Sequence, residues 1–189
     1  MIIWAFPIPA HGGKDPGSIY KEEYEKEYNL DFAFYLKRSL ENLGSTVIMT
    51  RTGDYDLSNP SSSSRKRSDF NNRIKLINDN LADMYISLHM NYLNDSKYYG
   101  GQVFYSNSKL DNEELAKTVQ KYLNDFFSLK KDYKKIGNDK YMFSKIERPG
   151  VLIEYGFMSS YKDRSNLKNK NYKQELAQTI AKSIVDYFT

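Results

Sequence analysis

The chain has 189 residues, 40% of them apolar and 15% aromatic, which is enough for one substantial core and too little for a second, so residues 1–189 read as a single domain. Its 28 basic and 24 acidic side chains leave a net charge of +4 that suits approach to an anionic polymer; the lysines are scattered and no helix-turn-helix, zinc-finger or ribonucleoprotein pattern occurs, so nucleic acid is not an expected partner. With no cysteine, disulfides and thiolate metal sites are excluded, and any transition-metal site must draw on His, Asp and Glu.

The run Met1 to Pro9 is apolar but lacks a basic leading region and is too short for a signal sequence, so an export signal is expected to be absent from this chain. No stretch approaches the roughly 20 apolar residues of a membrane span, so no transmembrane segment is expected. Ile2 to Phe6 reads as a buried strand closed by Pro7 and Pro9, and the loop that follows holds His11. Leu30, Ala33, Leu36, Leu40 and Leu43 recur at helical spacing from Asn29 onward, Gly44 is placed to end that helix, and Thr46 to Thr50 reads as the next strand. Asn59 to Ser64 is a loop of proline and serine. Phe70, Ile74, Ile77 and Leu81 mark a second helix, and Met84 to Leu88 a third strand with His89 at its end.

Gly101 to Tyr105 is the next strand, Leu115, Val119, Tyr122, Leu123 and Phe126 give a third helix, and Lys130 to Lys140 reads as a polar loop. Tyr141 to Phe143 and Val151 to Ile153 are short strand candidates, and Leu176, Ile180, Ile184 and Tyr187 lie on a final helix. Strands alternating with helices predict an α/β fold: a twisted, largely parallel sheet flanked by helices on both faces. Ligands collect where the strands of such a sheet end, and both histidines and Glu154 are expected just beyond strand ends.

The two histidines are the only ones in the chain. One alone is adequately explained by a bond to backbone, but two in equivalent strand-end positions suit metal ligands. A catalytic zinc site needs about three protein ligands and an open position, so a carboxylate must complete the set. Glu22, Glu23, Glu25 and Glu27 precede the first long helix, where the helix dipole is explanation enough for any one of them. Glu154 differs, because it interrupts the apolar run Val151, Leu152, Ile153 and brings a carboxylate to the sheet edge. The residues alone leave both readings open, a His, His, Glu metal hydrolase and a pair of ordinary histidines.

Four segments occur in order: His11-Gly12-Gly13-Lys14-Asp15-Pro16-Gly17, Glu25-Lys26-Glu27-Tyr28-Asn29-Leu30, Ile86-Ser87-Leu88-His89-Met90-Asn91, and Leu152-Ile153-Glu154-Tyr155-Gly156-Phe157-Met158-Ser159. Together they resemble the zinc-dependent N-acetylmuramoyl-L-alanine amidases of the amidase-3 family, over nearly the whole chain. Met49-Thr50-Arg51-Thr52 and the stretch Asn72 to Ala82 share the likeness. Arg65-Lys66-Arg67, Arg73 to Ile77 and Gly100 to Tyr105 are most similar to the spore-cortex subgroup.

The resemblance implies one zinc ion per chain held by His11, Glu25 and His89, with Glu154 as catalytic base and then acid. It implies peptidoglycan as substrate, cleaved between N-acetylmuramic acid and L-alanine in spore cortex maturation, ahead of muramic-δ-lactam formation and germination. It places the protein outside the cytoplasmic membrane, in the cell wall or the forespore intermembrane space, with a sporulation lipoprotein as activating partner. The short link from His89 to Gly100 leaves little room for the inhibitory helix of some cell-division amidases. One departure stands out: the family's Asp-Pro-Gly before the first histidine is Ile8-Pro9-Ala10 here, which is expected to alter the support of that ligand. A zinc peptidase acting on the stem peptide and a non-catalytic wall-binding protein of the same fold are the alternatives. Tyr155 is a candidate for stacking on sugars, although packing is the preferred role, and Lys130, Lys131, Lys134 and Lys135 read as a solvated loop.

Overall fold

A computed structural model describes residues 3–80, 82–109, 111–137 and 140–189, so Ile2 and Leu81, expected on a strand and a helix, lie outside the described residues. The run Ala5 to Pro9 is buried throughout, and it forms β1 (Trp4–Pro9) in the interior of a sheet rather than an alternating strand at its surface. The six-stranded sheet has the order β4-β1-β5-β8-β6-β7, where β4 is Thr46–Val47, β5 Met84–Asn91, β6 Gln102–Tyr105, β7 Lys134–Lys135 and β8 Gly150–Phe157. Only the β6–β8 pair is antiparallel among these neighbours, as the largely parallel sheet expected from sequence requires.

Helices cover both faces. On one, α1 (Glu25–Asn42), α3 (Asn112–Phe127) and α6 (Lys170–Phe188) bury Phe32, Leu36, Leu115, Val119, Leu176 and Ile180 against the sheet. On the other, α2 (Arg65–Asp79) and α4 (Tyr141–Lys145) close over Phe6, Ile8 and Tyr85 with Ile77, Met142 and Phe143. At about 25 cal/mol per Å² of apolar area, each such side chain contributes roughly 1.5–3 kcal/mol, so these two layers fix how the strands are stacked.

Several elements differ from the sequence reading, each for a physical reason. The strand expected over Thr46 to Thr50 stops at Val47. Ile48 and Thr50 still donate to the carbonyls of Ala5 and Pro7, but Pro7 and Pro9 on that side of β1 have no N–H to return. Tyr141 to Phe143 is helical, because Met142, Phe143 and Ile146 are buried at helical spacing; three residues are too few to tell the two periods apart. The polar loop Lys130 to Lys140 contains β7, and Lys131 donates to the carbonyls of Tyr99 and Gly100. A hairpin, β2 (Ile19–Tyr20) with β3 (Glu23–Tyr24), and a short helix, α5 (Tyr161–Leu167) capped by Ser160, carry too little apolar periodicity to be read from sequence.

Gly150 begins β8 where the sheet is tightest: a Cβ there would lie 2.4 Å from the Tyr85 carbonyl oxygen and 2.3 Å from its ring. Gly150→Ala is expected to destabilise the fold by roughly 2–3 kcal/mol, read as a lower denaturant midpoint at unchanged m-value.

Candidate metal centre and active site

Beyond Pro9 the chain must leave the sheet abruptly, and it does so through His11 at φ 62°, a left-handed conformation unusual for a residue with a side chain. Two buried arginines hold that turn from below. Arg51 donates to the carbonyls of Pro9 and Ala10, at 3.0 Å each, and Arg73 donates to those of Pro9 and His11 at 3.1 and 2.9 Å. Gly12 and Asp15 exchange backbone bonds, and the Asp15 carboxylate then lies 2.9 Å from His11 Nδ1. With Nδ1 engaged, Nε2 is the nitrogen left to face the cavity.

Glu25 opens α1 and is 3% exposed. Its Oε1 lies 3.2 Å from His11 Nε2 and 3.2 Å from His89 Nδ1, and accepts from Met90 N at 3.1 Å and Asn29 Nδ2 at 3.2 Å. Its Oε2 accepts from Ser18 N at 2.9 Å. The ligand atoms of His11, Glu25 and His89 all lie within 4.8 Å of one another, a grouping able to hold a metal ion. Gly17 makes room for it: at φ 68° and with a Cβ position 2.6 Å from the His11 ring, no other residue fits.

His89 and Glu154 do not lie beyond strand ends as expected, but inside β5 and β8, directly opposite one another in register, next to an irregularity between His89 and Asn91. One wall of the cavity is thus made by adjacent strands. His11, Glu25, His89 and Glu154 all line the same cavity, of about 900 Å³. Glu154 Oε2 is buried and has no hydrogen-bond partner among the described residues.

The charges at the site follow from burial and contact. Burial pushes His11 down, but its bonds with Asp15 and Glu25 outweigh this and raise it to about 9, while His11 in turn holds Asp15 at about 2. Burial favours the neutral form of Glu25, yet the two imidazoles keep it well below the usual carboxylate range. His89 is lowered, chiefly by burial. Glu154, buried and near the charge of Glu25, is pushed up to about 8.

Two imidazoles and one carboxylate, with no thiolate, match the donor set of a catalytic zinc site that keeps a position open. An unpartnered buried carboxyl oxygen beside that set fits a group meant to meet water or substrate. The fit survives the altered Ile8-Pro9-Ala10 segment, because the backbone there is carried by the arginines and the His11 ring by Asp15.

Sequence reasoning missed Asp15, Asn29, Arg51 and Arg73 as parts of this site, although all four stand in segments it quoted. The one local signal was a pair of arginines followed or preceded by apolar residues, Met49-Thr50-Arg51 and Arg73-Ile74. Tyr155 faces inward: it is 1% exposed, stacks on Phe32 at 4.3 Å, and donates to Asn29 Oδ1 at 3.0 Å. It thereby orients the amide that holds Glu25.

Residues 8–186 match the family described as N-acetylmuramoyl-L-alanine amidase. The germination-specific N-acetylmuramoyl-L-alanine amidase of Bacillus subtilis is 35% identical over 198 residues, covering 98% of this chain and 83% of that protein. The probable cell wall amidase LytH of Staphylococcus aureus is 31% identical over 96% of this chain, which spans only 57% of its length. Among solved structures, the CwlD amidase of Clostridioides difficile, in complex with the GerS lipoprotein, superposes with a TM-score of 0.90 at 32% identity and covers 98% of each chain. An N-acetylmuramoyl-L-alanine amidase from Clostridium difficile 630 gives 0.85 at 28% identity, over 99% of this chain and 97% of that one. With its sheet, its His, Glu, His grouping and its whole length matched in this way, the chain belongs to the N-acetylmuramoyl-L-alanine amidase family.

Proposed function

We propose that residues 1–189 form one catalytic domain that hydrolyses the amide between N-acetylmuramic acid and L-alanine of peptidoglycan, with one zinc ion held by His11, Glu25 and His89. The observation that carries this reading is the convergence of those three side chains within 4.8 Å beside the unpartnered buried oxygen of Glu154. When bound, zinc supplies Lewis acidity at the open position, acidifying water and drawing charge from the amide carbonyl.

The protein's own groups do the rest. Glu154 takes a proton from the attacking water and hands it to the amine nitrogen of L-alanine, which leaves poorly without it. In the metal-free site, burial and the charge of Glu25 raise this carboxyl to about 8, which makes it a stronger base than an ordinary glutamate once ionised. Asp15 keeps His11 oriented through Nδ1, and Asn29 and the backbone of Ser18 and Met90 keep Glu25 in place.

The setting we propose is spore cortex maturation, upstream of muramic-δ-lactam formation, outside the cytoplasmic membrane in the wall or forespore intermembrane space, with a lipoprotein as activating partner. The germination-specific relative and the CwlD structure with its lipoprotein support it. No described helix is long and apolar enough to cross a membrane.

Two variants test the assignment. Purified Glu154→Gln is expected to keep one zinc and lose turnover by at least about 100-fold, the lower end of what a general base supplies, while His89→Ala loses both. Full activity in either contradicts it. Product analysis excludes the stem-peptide alternative if L-alanine amines appear on an intact stem.

A second expectation concerns stability without metal. Glu154 is raised in the folded chain from an ordinary 4.5 to about 8, so its contribution to stability is fully present below 4.5 and lost as pH rises through 8. Metal-free Glu154→Gln is therefore expected to gain in melting temperature over the wild type between pH 5 and pH 9, with the gain growing as pH rises; a pH-independent difference would show that the carboxyl is not buried as described.

A further inference from the structure

The cavity that holds the reacting centre continues past Glu154 over the face of the sheet, between α2 and residues 135–137 and 140–143. Ser87, Phe104 and Leu152 line its floor, and Phe70 and Met142 its walls. Ser87 Oγ is fully buried and has no hydrogen-bond partner among the described residues.

Besides Arg73, three lysines line this cavity, each from a different part of the chain: Lys66 on α2, Lys135 on β7 and Lys140 immediately before α4. Among the described residues none of them forms an ion pair, while the cavity's other carboxylates are engaged: Asp15 with His11, Asp69 with Arg73, and Glu25 with both histidines. Lys66 is near enough to Asp15, and Lys140 to Glu154, to favour the ionised carboxylates, so positive charge stands on both sides of the reacting centre. Lys135 is exposed, as expected for a solvated lysine, but it stands on β7 rather than in a loop and lines the mouth of the cavity.

The charge on the substrate decides what these lysines meet. In an N-acetylmuramoyl-peptide the sugar's lactyl carboxyl is consumed in the amide, so the glycan strand is neutral. Negative charge resides on the peptide, starting with the carboxylate of the glutamate that follows L-alanine. We propose that Lys66, Lys135 and Lys140 bind the carboxylates of the stem peptide, whose backbone lies in the arm over Phe104 and Leu152, and thereby give the enzyme a preference for unamidated stems. The inference rests on the amidase reading of the same site, which it deepens by naming how the leaving peptide is recognised.

The experiment compares kcat/KM on two soluble muramoyl-peptides that differ only in whether that glutamate is a free acid or its amide. Binding of the corresponding free peptides to the metal-free protein is measured by calorimetry at low and high salt. For the wild type, the free acid is expected to be favoured about tenfold, the effect of one charge-assisted hydrogen bond, and to lose that advantage in high salt. In Lys135→Gln/Lys140→Gln the ratio falls toward one. Equal handling of the two substrates by the wild type, or an unchanged ratio in the double variant, overturns the proposal. Release from neither substrate contradicts the amidase reading instead, and the binding ratio then still decides the role of the lysines.

Discussion

A single carboxylate oxygen shared by two imidazoles organises the functional end of this protein. Glu25 Oε1 meets His11 Nε2, His89 Nδ1, Met90 N and Asn29 Nδ2, all between 3.1 and 3.2 Å. Burying an ion costs several kcal/mol unless its partners are in place, so α1, β5 and the turn after β1 can pack as they do only when all of these contacts form together. The same demand reaches inward, because Asn29 is itself oriented by Tyr155, which stacks on Phe32 in the core. A change deep in the α1–β8 packing is thus felt at the candidate metal centre.

The turn that presents His11 depends on a second buried arrangement. A histidine at φ 62° with glycines after it would not hold its shape alone. Arg51 and Arg73 fix it by donating to three consecutive carbonyls, and both guanidiniums are almost fully buried. Arg73 is steadied within α2 by Asp69 at 2.9 Å, and its bonds to the carbonyls of Pro9 and His11 tie that helix to the turn and to the end of β1. Because this support acts on backbone, the side chains at positions 8 and 10 are free to differ from the family's usual pattern without loss of the turn.

Much of this was legible in the sequence, and the parts that were not share a cause. The alternation of apolar runs gave the sheet and its long helices, and His11, His89 and Glu154 stood out because polar residues interrupted or followed those runs, whereas Glu25, one of four glutamates before the first helix, was singled out by the family resemblance alone. The contribution of Arg51 and Arg73 was hidden, since nothing local reveals that residues 9–11, 51 and 73 meet in space. β7 escaped because two lysines carry no strand pattern, and α4 was read as a strand because a three-residue apolar run fits either period. The early end of β4 was implied by Pro7 and Pro9, but only once its partner strand was known.

The central claim is that zinc held by His11, Glu25 and His89 drives release of the stem peptide. The most direct measurement adds zinc in steps to chelator-stripped protein while following L-alanine amine release from purified peptidoglycan. The account predicts no release from the stripped protein and a rise that saturates at one zinc per chain. Release without zinc, or saturation at another stoichiometry, would contradict it.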